Sequence, residues 1–239
     1  AQRALRESLR AVVPNAALFK GLVQVGQVFR PILPASLKSK LPRSVNTAKP
    51  RPAQRHARRV LMLEGCVQPG LAPNTNAATA RVLDRLGISV TPINEAGCCG
   101  AVDYHLNAQE QGLQRARQNI DAWWPAIEQG AEAIVQTASG CGAFVKDYGH
   151  LLAQDPAYAE KAQRVSELAK DLIEVFSAEP LEQLNVQADK RLAFHCPCTL
   201  QHAQKLGGAV EGVLARLGFN LTAVPDSHLC CGSAGSYSL

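Results

Sequence analysis

One cysteine spacing occurs twice in this chain. In each copy a single cysteine is followed, after thirty-one residues, by a Cys-Cys-Gly triplet. The copies are Cys66 with Cys98-Cys99-Gly100, and Cys198 with Cys230-Cys231-Gly232. Each interval also holds a helical stretch that ends in Leu-Gly, followed by a short apolar run. Self-similarity of this kind marks a duplicated supersecondary unit, so the chain is predicted to contain two copies of one strand-helix-strand unit.

Short apolar runs alternate with helical patterns from residue 60 onward. Strands are predicted at 60–63, 88–93, 133–137, 191–194 and 219–224, and helices at 73–86, 105–128, 143–153, 157–177 and 200–217. This alternation is typical of parallel sheets covered by helices, so the predicted fold class is α/β. All the cysteines then fall just beyond strand ends. Loops converge at the carboxyl edge of such sheets, which makes this edge the expected ligand site.

Three regions are predicted along the chain: a helical segment and basic linker over 1–59, a first cysteine-rich domain over 60–178, and a second over 179–239. Residues 4–33 show the spacing of one or two amphipathic helices, and four prolines interrupt residues 34–59. Residues 1–60 hold 13 Lys or Arg and one acid, whereas the rest of the chain is net acidic. Such a basic arm suggests contact with an anionic surface or an acidic partner.

Composition limits the classes of function. An aromatic content of 5% offers little surface for stacking on bases, so no nucleic-acid binding is expected. No stretch approaches the roughly 20 apolar residues needed to cross a bilayer, and residues 1–30 lack a secretion signal. Eight cysteines without such a signal are more typical of metal ligands or redox groups than of disulfides. We therefore expect a cytoplasmic protein, with a peripheral contact at the inner face of the cytoplasmic membrane as an option for the basic arm.

The repeated Cys-Cys pair favours a metal centre. Adjacent cysteines rarely bridge each other without strain, so a pair at a strand end is better explained as two thiolates that bind one centre. The glycine after the pair admits backbone angles closed to other residues and leaves room for a bulky cluster. A further thiol is available at another strand end. A four-thiolate shell for an iron-sulfur cluster is therefore predicted from Cys66, Cys98, Cys99 and Cys141.

The second repeat supplies an incomplete site. Its three thiols are Cys198, Cys230 and Cys231. If the interval from Cys99 to Cys141 recurs, the missing ligand would lie about 34 residues beyond the last residue, so the chain is expected to be a fragment. Cys196 is either an extra ligand or a passive thiol. Ordinary buried thiols and a structural zinc site are the alternatives for the whole set, although the Cys-x-x-Cys spacing usual for zinc is missing.

The doubled unit resembles the cysteine-rich (CCG) domain of the heterodisulfide reductases and of the iron-sulfur subunits of glycolate, lactate and anaerobic glycerol-3-phosphate dehydrogenases. Its motifs are most similar to those of bacterial glycolate oxidase iron-sulfur subunits. They are FHCPCTLQH at 194–202, SHLCCGSAG at 227–235, EAGCCGA at 95–101 and TASGCG at 137–142. In the reductase relatives a cysteine pair completes a five-thiolate, non-cubane site, whereas Ala138 replaces the first of that pair here. The two ferredoxin-like motifs of the glycolate type are also missing, which favours a natural subunit that extends beyond both ends.

The resemblance implies an electron-transfer role. A flavin-containing partner subunit, which would hold FAD, oxidises glycolate to glyoxylate, and this subunit passes the electrons towards a membrane acceptor. The implied cofactor is an iron-sulfur cluster of the 4Fe-4S type, with a non-cubane cluster as the alternative. A heterodisulfide-reductase-like thiol-disulfide function and a zinc-stabilised assembly module are the other functions left open. No residue is assigned a catalytic role in this subunit.

Overall fold

The structure, a computed structural model, describes residues 2–229 and Gly232. Its strands are β1 Arg58–Leu63, β2 Ile88–Thr91, β3 Ile134–Gln136, β4 Ala169–Asp171, β5 Arg191–Ala193 and β6 Asn220–Thr222. The first four form a parallel sheet in the order β2-β1-β3-β4, and β5 pairs with β6 in a second parallel sheet. The α/β class predicted from the sequence is confirmed.

Helices connect and flank these strands. They are α1 Gln2–Val12, α2 Ala16–Val28, α3 Ala35–Lys40, α4 Gln68–Leu71, α5 Pro73–Arg85, α6 Ala101–His105, α7 Gln109–Glu128, α8 Ser139–Lys146, α9 Tyr148–Leu151, α10 Ala159–Leu168, α11 Leu172–Ala178 and α12 Ala209–Arg216. Helices α1 and α2 confirm the predicted helical segment, and α3 adds a short helix inside the predicted linker. Among the described residues, no helix is long and apolar enough to span a bilayer.

The core lies on both faces of β1. Its residues 60–63 are at most 2% exposed, as a continuous apolar run in a parallel strand covered on both faces requires. On one face the strand packs with Trp123 of α7 and Tyr148 of α9. On the other it packs with Leu83 of α5 and Val175 of α11. The four-stranded sheet is therefore held firmly enough to position the loops at its ends.

The two sequence repeats have the same local fold. In each, a leucine is the C-cap residue of the helix between the strands, and the next residue is a glycine in the left-handed region: Gly87 has φ +79° and Gly218 has φ +87°. The strand that follows pairs in parallel with the strand that opened the repeat. The predicted duplication is confirmed, and the boundaries at residues 60, 178 and 179 stay a prediction.

Three of the predicted helical segments are interrupted by a strand or by a residue with a positive φ angle. The helix at 157–177 is broken by β4, which pairs with β3 at the edge of the sheet. Asp171 ends this strand and caps α11, because its carboxylate accepts a hydrogen bond from the Ile173 N–H while Glu174 accepts one from the Asp171 N–H. This capping box starts a new helix. The helices at 105–128 and 200–217 are split where Asn107 and Lys205 have positive φ angles.

The basic arm packs against the body of the chain. Three of its arginines form bidentate pairs with acids from later elements. The pairs are Arg51 with Glu64, Arg55 with Asp84, and Arg58 at the start of β1 with Glu179. Part of the positive charge that the sequence concentrates in this arm is therefore neutralised within the chain.

Candidate metal centre

Three cysteine loops meet at the carboxyl edge of the four-stranded sheet. Cys66 follows β1, Cys98 and Cys99 follow β2, and Cys141 lies in the first turn of α8, after β3. These loops are neighbours because β1 lies between β2 and β3. Neighbouring thiols shift each other's pKa, Cys66 with Cys98, Cys98 with Cys99 and Cys99 with Cys141, and all four are free of disulfides. The structure thus brings together the four thiols predicted for the first repeat.

Burial and mutual contact make these thiols unequal in acidity. Cys66, Cys98 and Cys99 are at most 7% exposed, and Cys141 is half-buried. Hydrogen bonds from Cys66 and Cys99 lower the pKa of Cys98 to about 3, and a hydrogen bond from Cys99 lowers the pKa of Cys141. The same bonds raise the pKa of the donors Cys66 and Cys99. The pKa values of Cys98 and Cys141 are thus lowered and those of Cys66 and Cys99 raised, and the thiolate is the form that binds metals.

A positive charge lies beside these thiols. The charge of Arg115 on α7 and a hydrogen bond from the Gly100 backbone both contribute to the lowered pKa of Cys98. Arg115 is held in turn by Asp103 of α6, which is 2% exposed and also accepts a hydrogen bond from Arg10 of α1. The amino-terminal helix is thereby connected, through one buried carboxylate, to the loop that carries the cysteine pair.

Two further residues at the site were missed by sequence analysis. Asn119 of α7 donates a hydrogen bond to the Cys98 carbonyl at 2.9 Å, and the Tyr148 hydroxyl donates one to the Cys99 carbonyl at 2.6 Å. Burial raises the pKa of Tyr148 well above its ordinary value, so its hydroxyl stays protonated. The only signal in the sequence was a polar residue at position 119 beside the buried Ile120.

The glycine after the cysteine pair has the conformation that was predicted but a different neighbour. Gly100 has φ +99°, a left-handed angle. The space beside its α-carbon holds the backbone of Gly112: a Cβ added to Gly100 would lie 2.4 Å from the Gly112 carbonyl oxygen. At this point glycine is required by the close approach of α6 to α7, because the Gly112 backbone occupies the space beside its α-carbon.

A cavity of about 810 Å³ opens beside the thiols. Cys66, Cys99 and Cys141 line it together with apolar residues of α6 and α8, and the second repeat contributes Thr199 and Ala203. The two repeats are also joined at this place by a hydrogen bond of 2.7 Å between the hydroxyls of Thr199 and Ser139. Both repeats therefore contribute to the surroundings of the first thiol set.

The thiols of the second repeat are placed differently. Cys196 is 7% exposed and packs in a small apolar cluster with Leu200 and Val213, where burial raises the pKa of its thiol. Cys198 is exposed. Cys230 and Cys231 lie outside the described residues, so the second, incomplete site stays a prediction.

The residues present fit an iron-sulfur cluster by their chemistry. Four free thiols converge beside a cavity, and such clusters are held by cysteine thiolates. No three His, Cys, Asp or Glu side chains within residues 2–229 and Gly232 surround a point that a metal ion could occupy. The fit thus rests on ligand type and on the convergence of the thiols.

Duplicated parallel units that gather cysteines from strand-end loops define a class of cysteine-rich α/β domains. The family model described as the cysteine-rich domain (CCG) matches residues 60–146 and 192–239, more than half of the chain. The chain belongs to this family, and both repeats fall within the match.

The similarity extends to individual curated proteins within this family. The chain is 72% identical over 238 residues to the glycolate oxidase iron-sulfur subunit of Escherichia coli (strain K12), which covers 100% of this chain and 58% of the relative. It is 27% identical over 241 residues to the probable glycolate oxidase iron-sulfur subunit of Bacillus subtilis (strain 168), covering 98% of this chain and 52% of the relative. Lactate utilization protein A of Bacillus licheniformis is 27% identical over 73% of the chain. The chain thus spans little more than half the length of the first two relatives, and the resemblance inferred from the motifs is confirmed.

Proposed function

We propose that this chain is part of an iron-sulfur electron-transfer subunit of a glycolate-oxidising flavoenzyme. The observation that carries the proposal is the convergence of Cys66, Cys98, Cys99 and Cys141 at one edge of the sheet. The 72% identity to a protein named glycolate oxidase iron-sulfur subunit supports the choice of substrate. The four cysteines are the proposed ligands of the first cluster, of the 4Fe-4S type, and Cys198, Cys230 and Cys231 belong to a second site.

In this role the chain positions and insulates a one-electron carrier. Glycolate loses two electrons and two protons to FAD on a partner subunit and becomes glyoxylate, and the electrons pass singly through this subunit towards a membrane acceptor. The bound cluster supplies the reversible one-electron step. The chain's own residues bury the thiols and place the positive charge of Arg115 near Cys98, which favours the more negative, reduced state.

We infer a cytoplasmic location with peripheral contact at the inner membrane face. The surface formed by α2 and the turn after it exposes large apolar side chains. They are Leu22 at 48%, Val25 at 54%, Phe29 at 53% and Ile32 at 79%. No acidic residue occurs between positions 8 and 63. An apolar surface within a basic segment suits an anionic headgroup layer. A double variant with Val25→Glu and Phe29→Glu should no longer co-sediment with phosphatidylglycerol vesicles. Unchanged binding would contradict the inference.

The ligand assignment is tested by anaerobic reconstitution of the full-length subunit with iron and sulfide. The Cys98→Ser variant should lose iron and acid-labile sulfide relative to the wild type, because it removes one of the four proposed thiolate ligands. Cys196→Ser is the matched control, since Cys196 packs in the separate apolar cluster with Leu200 and should leave the first site loaded. Undiminished iron in Cys98→Ser would refute the assignment. Zinc without sulfide in the wild type would support the assembly-module alternative instead.

A thiol-disulfide redox function is the second candidate. The cavity of about 810 Å³ beside Cys66, Cys99 and Cys141 favours it, because a small disulfide could reach the site from there. The electron paramagnetic resonance signal of the reconstituted protein should then change when a disulfide substrate is added. If the signal does not change when the disulfide is added, electron transfer remains the proposed function of the site.

A further inference from the structure

The loop that carries the cysteine pair has no regular structure of its own. Residues 96–99 lie between β2 and α6 and belong to neither a helix nor a strand. The side chains of Cys98 and Cys99 are 4% exposed. A buried backbone outside helices and sheets still needs partners for its N–H and C=O groups, and their absence costs free energy. The conformation of this loop therefore depends on whichever groups satisfy its backbone.

Two buried side chains form hydrogen bonds with three backbone groups of this loop, one on each of the consecutive residues Gly97, Cys98 and Cys99. Asn119 is 1% exposed; its Oδ1 accepts a hydrogen bond from the Gly97 N–H at 2.8 Å and its Nδ2 donates to the Cys98 carbonyl at 2.9 Å. Tyr148 is 0% exposed and donates from its hydroxyl to the Cys99 carbonyl at 2.6 Å. The two side chains also contact each other, with Asn119 Nδ2 lying 3.3 Å from Tyr148 Oη.

These side chains are fixed by their own surroundings. Asn119 lies on the buried face of α7, next to Ile120 and one turn before Trp123, both 0% exposed. The ring of Tyr148 packs edge-to-face on Phe144 of α8, with centroids 5.9 Å apart. Neither partner can follow a movement of the loop, so their hydrogen bonds hold its backbone in one place.

We propose that Asn119 and Tyr148 are positioning residues that lock the backbone of Gly97-Cys98-Cys99 so that both sulfurs face the neighbouring thiols of Cys66 and Cys141. They act through peptide groups and do not bind the metal themselves. Their relevance to a cluster rests on the proposed function, whereas the locking of the loop can be tested without metal. Each hydrogen bond adds to the cost of opening the loop, so losing one should speed any reaction that requires opening.

The test uses Tyr148→Phe, which removes only the hydroxyl, and Asn119→Leu, which keeps the volume and removes the amide. In the metal-free, full-length subunit each change should speed alkylation of Cys98 and Cys99 by about tenfold, measured by mass spectrometry of the modified peptides. In the protein loaded with iron and sulfide, each should speed release of iron to a chelator by a similar factor. Because Asn119 and Tyr148 contact each other, the double variant should show less than the product of the single effects.

Two matched controls separate positioning from general stability. Tyr158→Phe removes a hydroxyl that donates to Asp121 at the surface, and Leu83→Ala disturbs the buried cluster of Val60, Ile88 and Val175, which contains no residue of the loop. Leu83→Ala should lower the unfolding midpoint yet leave both rates near the wild-type values. Rates in Tyr148→Phe and Asn119→Leu within twofold of the wild type would overturn the inference, and so would equal acceleration by Leu83→Ala. If the wild type takes up no iron, the proposed function fails, and the alkylation rates alone decide the positioning role.

Discussion

Replacing Gly100 with alanine should destabilise the fold far more than the same change at Gly87. Both glycines have left-handed φ angles, +99° and +79°. An added Cβ at Gly87 would meet nothing within 4 Å, whereas at Gly100 it would lie 2.4 Å from the Gly112 carbonyl oxygen. The pair of substitutions therefore separates the cost of the backbone angle from the cost of the contact.

The expected magnitudes follow from these two terms. A left-handed alanine costs roughly 1–2 kcal/mol, which is the whole penalty at Gly87. At Gly100 the Gly112 backbone has to move as well, and α7 is fixed by the fully buried Ile120 and Trp123. Overpacking against such an element costs about 1–3 kcal/mol more. We expect a loss of about 2–5 kcal/mol for Gly100→Ala and about 1–2 kcal/mol for Gly87→Ala.

Urea denaturation of the two variants beside the wild type measures the difference. With a slope of about 2–3 kcal/mol per molar urea, the midpoint should fall by about 0.7–2.5 M for Gly100→Ala and by about 0.3–1 M for Gly87→Ala. Because Gly100 follows the cysteine pair, iron uptake on reconstitution should also decline in Gly100→Ala only. Equal midpoints for the two variants would refute the argument that close packing of α6 on α7 explains this glycine.

Three more outcomes are expected. Arg58→Met leaves the buried Glu179 without its bidentate partner and should cost about 1–3 kcal/mol in urea denaturation; no loss would show that water replaces the guanidinium. The Arg55 guanidinium lowers the pKa of Asp84, so this carboxylate stabilises the fold above its unfolded pKa of about 4 and ceases to do so as pH falls through the lower, folded value. The stability gap between the wild type and Asp84→Asn should therefore narrow below about pH 4, and a constant gap would contradict this ion pair as the cause. Arg216→Ala removes hydrogen bonds to the carbonyls of residues 177 and 179 and should speed amide exchange in α12; unchanged exchange would mean that apolar packing alone holds that helix.

The convergence of the four thiols could be predicted because it follows from local patterns. Each thiol lies just after a short apolar run, and parallel strands place their carboxyl ends at one edge. Strand β4 could not be predicted in the same way. Apolar residues keep a helical period on both sides of it, at Val165, Leu168, Leu172 and Val175. The three residues of β4 therefore do not interrupt the helical pattern of the sequence. Only the capping pair Asp171 and Glu174 marked the break.

Asn119 and Tyr148 could not be predicted from the sequence for a different reason. Asn119 contacts a backbone 22 positions away, and Tyr148 contacts one 49 positions away. Both side chains bind peptide groups, which are chemically alike at every position. The residue types in the loop therefore do not indicate which side chains will bind its backbone. Such contacts follow from tertiary packing of α7 and α9 and become visible only in the folded structure.

The order of the strands also determines when each thiol can join the others during synthesis of the chain. Cys66 can meet Cys98 once β1 and β2 have paired, but Cys141 joins them only after the whole of α7 has been made and β3 has paired with β1. A growing chain thus carries an unfinished thiol set while it emerges. Oxidants met in that interval would convert sulfurs to sulfenic acids or disulfides before the last donor arrives. The yield of intact protein should therefore depend on reducing conditions during translation more than on those after it.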